Sequence, residues 1–463
     1  MQIRVLGNKN AFENPAYGRV VLNSTKDTDV VMTASGQKTI SIGRGDPKEM
    51  NRRKIILLAR QIIFLAKANK IKKLAIDLRD FGFAKIRLAE RELAELLAVN
   101  FAMANFDFIK YKTPPKEGWN FIEEIMVFGK NIAATRAGFE RGLTIAAEVN
   151  SCRILANTPG GAMTPKLLAQ EATAAVKGMP VKITVLDKKE MKTLGMGGIL
   201  GVAQGSVEAP QFIIMEYRRG LKKEKPTVLV GKGITFDTGG LNLKPEQGIN
   251  EMHMDMSGGA AVIHTVALAA KLKLKKNLVG LVPAAENMPS GSSYRPGDIL
   301  TSMSGQTIEI GNTDAEGRVV LADALTYAER YKPELVIDVA TLTGAAVVAL
   351  GQRASAIFSR DDQYRRRFQQ AGEAVGDYVW PLPLWEEFDD DIKGTFGDWS
   401  NTGKTRWGGA ITAAAFLGQF ARNYPWVHID IAPRMTTIEG EYLAKGAAGA
   451  AVQLLIKFLT TSR

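Results

Sequence analysis

Thr227-Val228-Leu229-Val230-Gly231-Lys232-Gly233-Ile234-Thr235-Phe236-Asp237-Thr238-Gly239-Gly240 runs from apolar, β-branched residues straight into glycine and charge. A strand with one wet face alternates apolar and polar residues; a nearly continuous apolar run marks a strand covered on both faces. The same texture recurs in FIIMEY (212–217), NLVGLVPAAE (277–286), LVIDVATL (335–342) and WVHIDIA (426–432). Helical patterns over 257–273, 318–331, 408–421 and 446–461 separate or follow these runs. Alternating strand and helix predicts an α/β/α domain built on a helix-covered mixed sheet.

The first third is a second α/β pattern. MQIRVL, RVVLN, DVVMT, KKLAIDL, DFIKYK and FIEEIMVF read as strands. Residues 47–69 read as a helix with Ile55, Ile56, Leu58, Ile62, Ile63 and Leu65 on one apolar face, and 86–104 as another. A long helix over 133–155 ends before Asn157-Thr158-Pro159-Gly160-Gly161, a breaker. The expected organisation is a smaller N-terminal α/β domain with its linker helix (1–155), then a catalytic domain (156–463). Thr164-Pro165 carries the signature of an N-cap followed by proline at the first helical position.

Composition narrows the chemistry. The chain has 463 residues but three histidines and one cysteine. A Cys-rich zinc site and a disulfide are excluded by count, and His253, His264 and His428 do not form HExxH. Any metal must therefore be held largely by carboxylates. A lone Cys152 fits a reducing compartment. The N-terminal sequence has no secretory h-region, and no uncharged apolar run reaches the roughly 18–20 residues of a membrane span, so a cytoplasmic, non-membrane protein is expected. The net charge of +12 is uneven, with 25 Lys+Arg against 16 Asp+Glu in residues 1–150. Such a basic segment can attract a polyanion, although a solvated lysine-rich surface is the simpler reading.

Three polar clusters interrupt the apolar framework. The first is 231–240, continuing to Lys244; the second is Met252-His253-Met254-Asp255-Met256-Ser257-Gly258-Gly259; the third is Gly311-Asn312-Thr313-Asp314-Ala315-Glu316-Gly317-Arg318. Open α/β sheets bind ligands beyond the carboxyl ends of their strands, and glycine permits close backbone approach there. Turn chemistry alone would explain any one cluster. No phosphate-binding loop fits, because Lys232 precedes Gly233 rather than a hydroxyl residue. Together the clusters supply Asp237, Asp255, Asp314 and Glu316 with Lys232, Lys244 and Arg318. Four converging acids repel one another unless cations join them. Carboxylates that bridge two divalent ions make a hydrolytic centre, which is the reading of these residues.

GKGITFDTGGLNLKP, the Asp255 segment and NTDAEGRVVLADAL resemble the leucyl aminopeptidase family of dimetal exopeptidases. NTPGGAMTP, ENMPSGSSYRPGDILTSMSGQTIEIGNTDAEGR, ATLTGAAVVALG, GGAITAAAFL, HIDIA and KGAAG extend the resemblance over about 155–463. Val319 stands where the family usually has Leu. The resemblance implies two divalent ions, Zn or Mn with Mg a third choice. Asp237 and Glu316 would bridge them, Lys232 and Asp255 would complete one shell, and Asp314 the other. It implies that Arg318 holds a bicarbonate acting as general base on the bridging water, and that Lys244 stabilises the oxyanion. Met252, Thr341, Gly344, Ala432 and Met435 would line an apolar pocket for the first side chain, suited to Leu- or Met-sized groups, with Pro433-Arg434 departing from the family's small or apolar residues. The expected substrates are peptides with a free N-terminus, and the expected assembly a homohexamer.

Two other readings stay open at this level. The basic N-terminal third allows nucleic acid as a partner. A dipeptidase would keep the fold and change the substrate. His253 is expected to be a neighbour of the site, His428 and Asp430 to be packed strand residues, and Cys152 to be inert.

Overall fold

A computed structural model describes residues 1–7, 12, 14–34, 36–83 and 85–461. Two compact units emerge, the first made of Met1–Asn150 with Thr437–Gly446, the second of Ser151–Thr436 with the chain from Ala447 onward. The junction lies inside the helix Ile132–Asn157. The return of 437–446 to the first unit has no signature in the sequence. There Glu441 stands 3.9 Å from buried Arg60, and Tyr442 meets the ring of Phe64.

In the first unit the described residues form a six-stranded sheet in the order Gln2–Leu6, Glu124–Phe128, Lys73–Asp77, Gly18–Asn23, Lys38–Gly43, Asp29–Met32. Every pair is parallel except the last. Asn51 caps the helix Arg52–Ala68, its side chain accepting from the Lys54 amide at 3.0 Å. Ile55, Ile56, Leu58, Ile62 and Ile63 are buried as the periodicity requires. DFIKYK is not a strand. Asn105 bonds both the amide and the carbonyl of Ile122, closing the intervening chain as a loop, and the next strand begins only at Glu124. A short alternating run carries no information about whether a sheet edge is available to it.

Among the described residues the second unit is built on a mixed nine-stranded sheet, with a separate three-stranded sheet of Ile299–Thr301, Thr307–Glu309 and Trp399–Ser400. The order of the larger sheet is Val379–Pro381, Ser355–Phe358, Trp426–Asp430, Leu335–Ala340, Thr227–Gly231, Asn277–Asn287, Gln211–Arg218, Val181–Leu186, with Gly233–Asp237 also paired to Asn277–Asn287. The central strands from Trp426–Asp430 to Asn277–Asn287 run parallel. Helices cover both faces. Val228, Val230, Val336 and Leu281 share one apolar cluster with Val320, Leu321 and Leu325 of the helix Glu316–Ala328. On the other face Gly280 lies against Val262 and Val266 of Ser257–Lys271, a helix buried through fourteen consecutive residues from Ser257 to Ala270. Burial on both sides is why these strands are uninterruptedly apolar. Thr164 caps the helix Pro165–Ala175 with proline at its start, as read from sequence.

Candidate metal centre

The parallel strands end where the chemistry begins. Lys232 follows Thr227–Gly231, Asp237 ends Gly233–Asp237, Asn287 ends Asn277–Asn287, Thr341 follows Leu335–Ala340 and Asp430 ends Trp426–Asp430. From one layer of helices comes Asp255, two residues before Ser257–Lys271; from the other comes Glu316, first residue of Glu316–Ala328. Helix N-termini favour negative charge, so both acids stand where the backbone supports them.

Glycine makes the approach possible. A Cβ on Gly258 would lie 2.1 Å from the Val339 carbonyl, and one on Gly231 would lie 2.4 Å from the Gly258 carbonyl. Backbone therefore packs on backbone, bringing Asp255 to Lys232. A Cβ on Gly317 would meet Lys232 Cε at 2.6 Å, because the lysine crosses the start of that helix.

Asp237, Asp255 and Glu316 are buried and each offers a carboxylate oxygen within 4.8 Å of the others. Lys232 Nζ lies 2.7 Å from Glu316 Oε1 and 2.8 Å from Asp255 Oδ2, and donates to Asp255 Oδ1 at 2.9 Å and the Thr341 carbonyl at 3.1 Å. Lys244 Nζ lies 2.9 Å from Asp237 Oδ2 and also contacts Asp314 Oδ1. Asp314 is more open than the other three, its side chain 34% exposed. Burial pulls both ammoniums down, but the surrounding carboxylates outweigh it and hold them raised. Burial pushes the Asp255 and Glu316 carboxyls up, and Asp237 adds to both. Asp255 Oδ2, Glu316 Oε1 and Asp314 Oδ1 each face a lysine ammonium and accept from no other donor. One ammonium contact leaves each of these oxygens a further lone pair. Crowded, desolvated acids with oxygens to spare form a donor set that divalent cations fit. Lys232 fits that set only as a free amine, the form a neighbouring cation favours.

Arg318 is buried and donates from Nη1 to the Asn401 carbonyl at 2.8 Å, while its Nε has no hydrogen-bond partner. Burial lowers its pKa to about 10, which leaves it charged at neutral pH. Thr341 Oγ1 donates to Asp255 Oδ1 at 2.6 Å, joining an expected pocket residue to an expected ligand. Met252, Ala432 and Met435 are half-buried, and Gly344 is exposed with nothing within 4 Å of a Cβ built on it. Arg434 turns away to donate to the Gln352 carbonyl at 2.8 Å. His253, on the turn Met252–Met254, is half-buried, and that burial lowers its pKa. Cys152 is buried.

Sequence reading did not single out the amides that hold the loops. Asn287 Nδ2 donates to Asp237 Oδ1 and to the Thr313 carbonyl, at 2.8 and 2.9 Å. Tyr294 donates to the same carbonyl at 2.7 Å, and Asn242 pairs with Thr313. Asn401 accepts from the Gly311 amide and donates to the Asn312 carbonyl. His428 and Asp430 are buried strand residues with defined partners. His428 Nδ1 lies 2.6 Å from Asp338 Oδ1; burial opposes its charge, but Asp338 holds its pKa raised.

Buried acids gather at the carboxyl ends of a helix-covered sheet, and comparison gives the family. Residues 150–456 match the catalytic domain of the cytosol aminopeptidase family, and the chain belongs to that family. Membership makes it a hydrolase of the aminopeptidase class. A probable cytosol aminopeptidase of Methylobacillus flagellatus is 44% identical over 81% of this chain and 76% of its own length. One of Acinetobacter baylyi is 44% identical over 93% of this chain and 87% of its own. The bottromycin maturation enzyme BotP, solved in complex with Mn, superposes with a TM-score of 0.87 at 30% identity, covering 96% of this chain and 99% of that one.

Proposed function

We propose that the chain is a metal-dependent aminopeptidase that removes N-terminal residues, Leu-like and apolar ones preferred, from peptides with a free N-terminus. The observation that carries this reading is the buried Asp237, Asp255, Glu316 triad with Lys232 and Lys244 set among its oxygens. Asp237, Asp255, Asp314, Glu316 and Lys232 would hold two divalent cations, Zn or Mn, and the Mn in the BotP structure supports the choice. When bound, the cations would supply Lewis acidity to a water and the scissile carbonyl, and Arg318 would hold a bicarbonate as general base. Lys244, kept an ammonium by its acidic neighbours, donates to the carbonyl oxygen as it gains charge. Arg318 stays charged and offers its unpartnered Nε toward an anion. Met252, Thr341, Gly344, Ala432 and Met435 receive the first side chain, and methionine adapts to branched apolar groups.

A cytoplasmic location and a homohexameric assembly belong to the same proposal. Among the described residues no helix is long and apolar enough to cross a membrane. Light scattering reads the assembly. The deciding experiment is hydrolysis of Leu-p-nitroanilide with and without chelator, then with Zn or Mn restored. Activity is expected to vanish on chelation and return with metal. Turnover indifferent to thorough metal removal would sink the mechanism. Leu-amide, a Leu-tripeptide and Cys-Gly compared side by side separate an aminopeptidase from a dipeptidase.

A further inference from the structure

The residues expected to receive the first side chain stand mainly on two segments, 341–344 and 432–435. Each follows a strand, Leu335–Ala340 or Trp426–Asp430, and these strands pair in parallel. The last backbone bond between the strand ends runs from the Ile431 amide to the Ala340 carbonyl at 2.8 Å. Beyond it, one buried side chain ties the segments. Asp430 Oδ1 accepts from the Leu342 amide at 3.0 Å and from the Ala432 amide at 3.0 Å. Asp430 Oδ2 accepts from Thr343 Oγ1 at 2.7 Å. The Thr343 hydroxyl in turn accepts from the Ala346 amide at 3.0 Å, capping the helix Gly344–Leu350. A single carboxylate thus ties both segments and the start of that helix together. At the helix's other end, Arg434 donates to the Gln352 carbonyl.

Asp430 is itself held. Its strand is anchored by Trp426 Nε1 and His428 Nδ1, each 2.6 Å from an oxygen of Asp338. His428 also stacks on Phe358 of the next strand, with ring centroids 5.6 Å apart. The segment beyond Asp430 is therefore positioned from a rigid buried row. Thr341 extends the connection to Asp255 through its hydroxyl.

We propose that Asp430 is a positioning residue that sets the separation of the two walls of the first-residue pocket, and so determines which side chains the enzyme accepts. This rests on the aminopeptidase reading above. An apolar pocket discriminates by about 10–200-fold per methylene, so wall spacing is a sensitive lever on selectivity. The carboxylate's hydrogen bonds go to Leu342, Thr343 and Ala432, through which it acts, while its charge also faces Arg318.

The test compares kcat/KM on Leu- and Ala-p-nitroanilide for the wild-type chain loaded with Mn and for Asp430→Ala, Asp430→Asn, Thr343→Val and Thr343→Ser. Mn affinity is measured in parallel by calorimetry. Asp430→Ala should change the Leu-to-Ala ratio at least about tenfold while Mn affinity holds. Asp430→Asn, which keeps an acceptor for the two amides, should retain more of the ratio. Thr343→Val removes one tie without touching the carboxylate, and covers the case in which Asp430→Ala does not fold. It should move the ratio the same way by less, and Thr343→Ser should restore it. Equal losses on both substrates in the variants, or an unchanged ratio, would overturn the proposal while leaving the enzyme reading intact. A wild-type chain that cleaves neither substrate would overturn both.

Discussion

Gly317→Ala tests whether Lys232 must occupy its observed path. A Cβ at 317 would stand 2.6 Å from Lys232 Cε, 2.7 Å from Nζ and 2.9 Å from Cδ. Non-bonded carbons rest about 3.5–4.0 Å apart, so the lysine tail must retreat by roughly 1 Å. The Gly231 backbone packs closely on that of Gly258, so the flexible lysine tail is the part that gives first. Retreat draws Nζ away from Asp255 Oδ1, Glu316 Oε1 and the Thr341 carbonyl. A misplacement of about 1 Å at a reacting centre costs on the order of 10²-fold, about 2.7 kcal/mol of barrier. The fold should survive, because alanine is favoured over glycine in a helix by up to about 1 kcal/mol, which offsets part of the crowding. The assays are kcat/KM on Leu-p-nitroanilide, Mn titration by calorimetry, and thermal melting. Gly291→Ala is the control, since a Cβ there meets nothing within 4 Å. Wild-type Mn affinity with turnover within about threefold of wild type, well short of the loss expected from such a shift, would refute the reasoning.

Glu316→Ala should abolish turnover and leave a folded chain whose melting in chelator is no lower than wild type, since burial and Asp237 oppose the Glu316 charge and Lys232 keeps Asp255 as a partner; retained turnover would refute the bridging role. Lys244→Ala should lower kcat by about 10²–10³, the loss of one oxyanion donor, without weakening Mn binding, and a fall in Mn affinity instead would make it a structural residue. Asp323, buried and accepting from the Ile199 and Met303 amides, has its pKa pushed up to about 7 by burial. Its folded pKa exceeds its unfolded one, so the stability it permits is full below the ordinary carboxylate range and declines as pH rises toward about 7. Melting of the chelated protein across that window should show the decline, and Asp323→Asn should flatten it; parallel slopes would show that other groups control it.

The seven polar residues expected at the site are brought together around one cluster of lysine–carboxylate contacts, with Arg318 at its edge. They were legible because glycine and charge appear abruptly at the ends of apolar runs, where an α/β sheet leaves its strands open. The amides of Asn242, Asn287 and Asn401 were not legible in the same way. Each bonds residues between 26 and 90 positions away, and an asparagine in a loop has the same local appearance whether it braces a neighbour or faces water. The basic first third is also less free than its charge suggests, since Arg4, Arg52, Lys67, Lys70, Lys72, Arg79 and Arg141 each stand beside an acid.

Local pattern accounts for the element types, the double burial of the central strands and the position of the polar clusters, because periodicity and glycine act over a few residues. Pairing and approach lie beyond it. That Gly317 exists to let Lys232 pass, that Asp430 spans two segments, and that 437–446 returns to the first unit all depend on residues distant in the chain meeting in space. Scarcity of histidine and cysteine told only which ligands a metal could not have. The folded chain supplies the carboxylates in their place, by packing two helix starts against the ends of two strands.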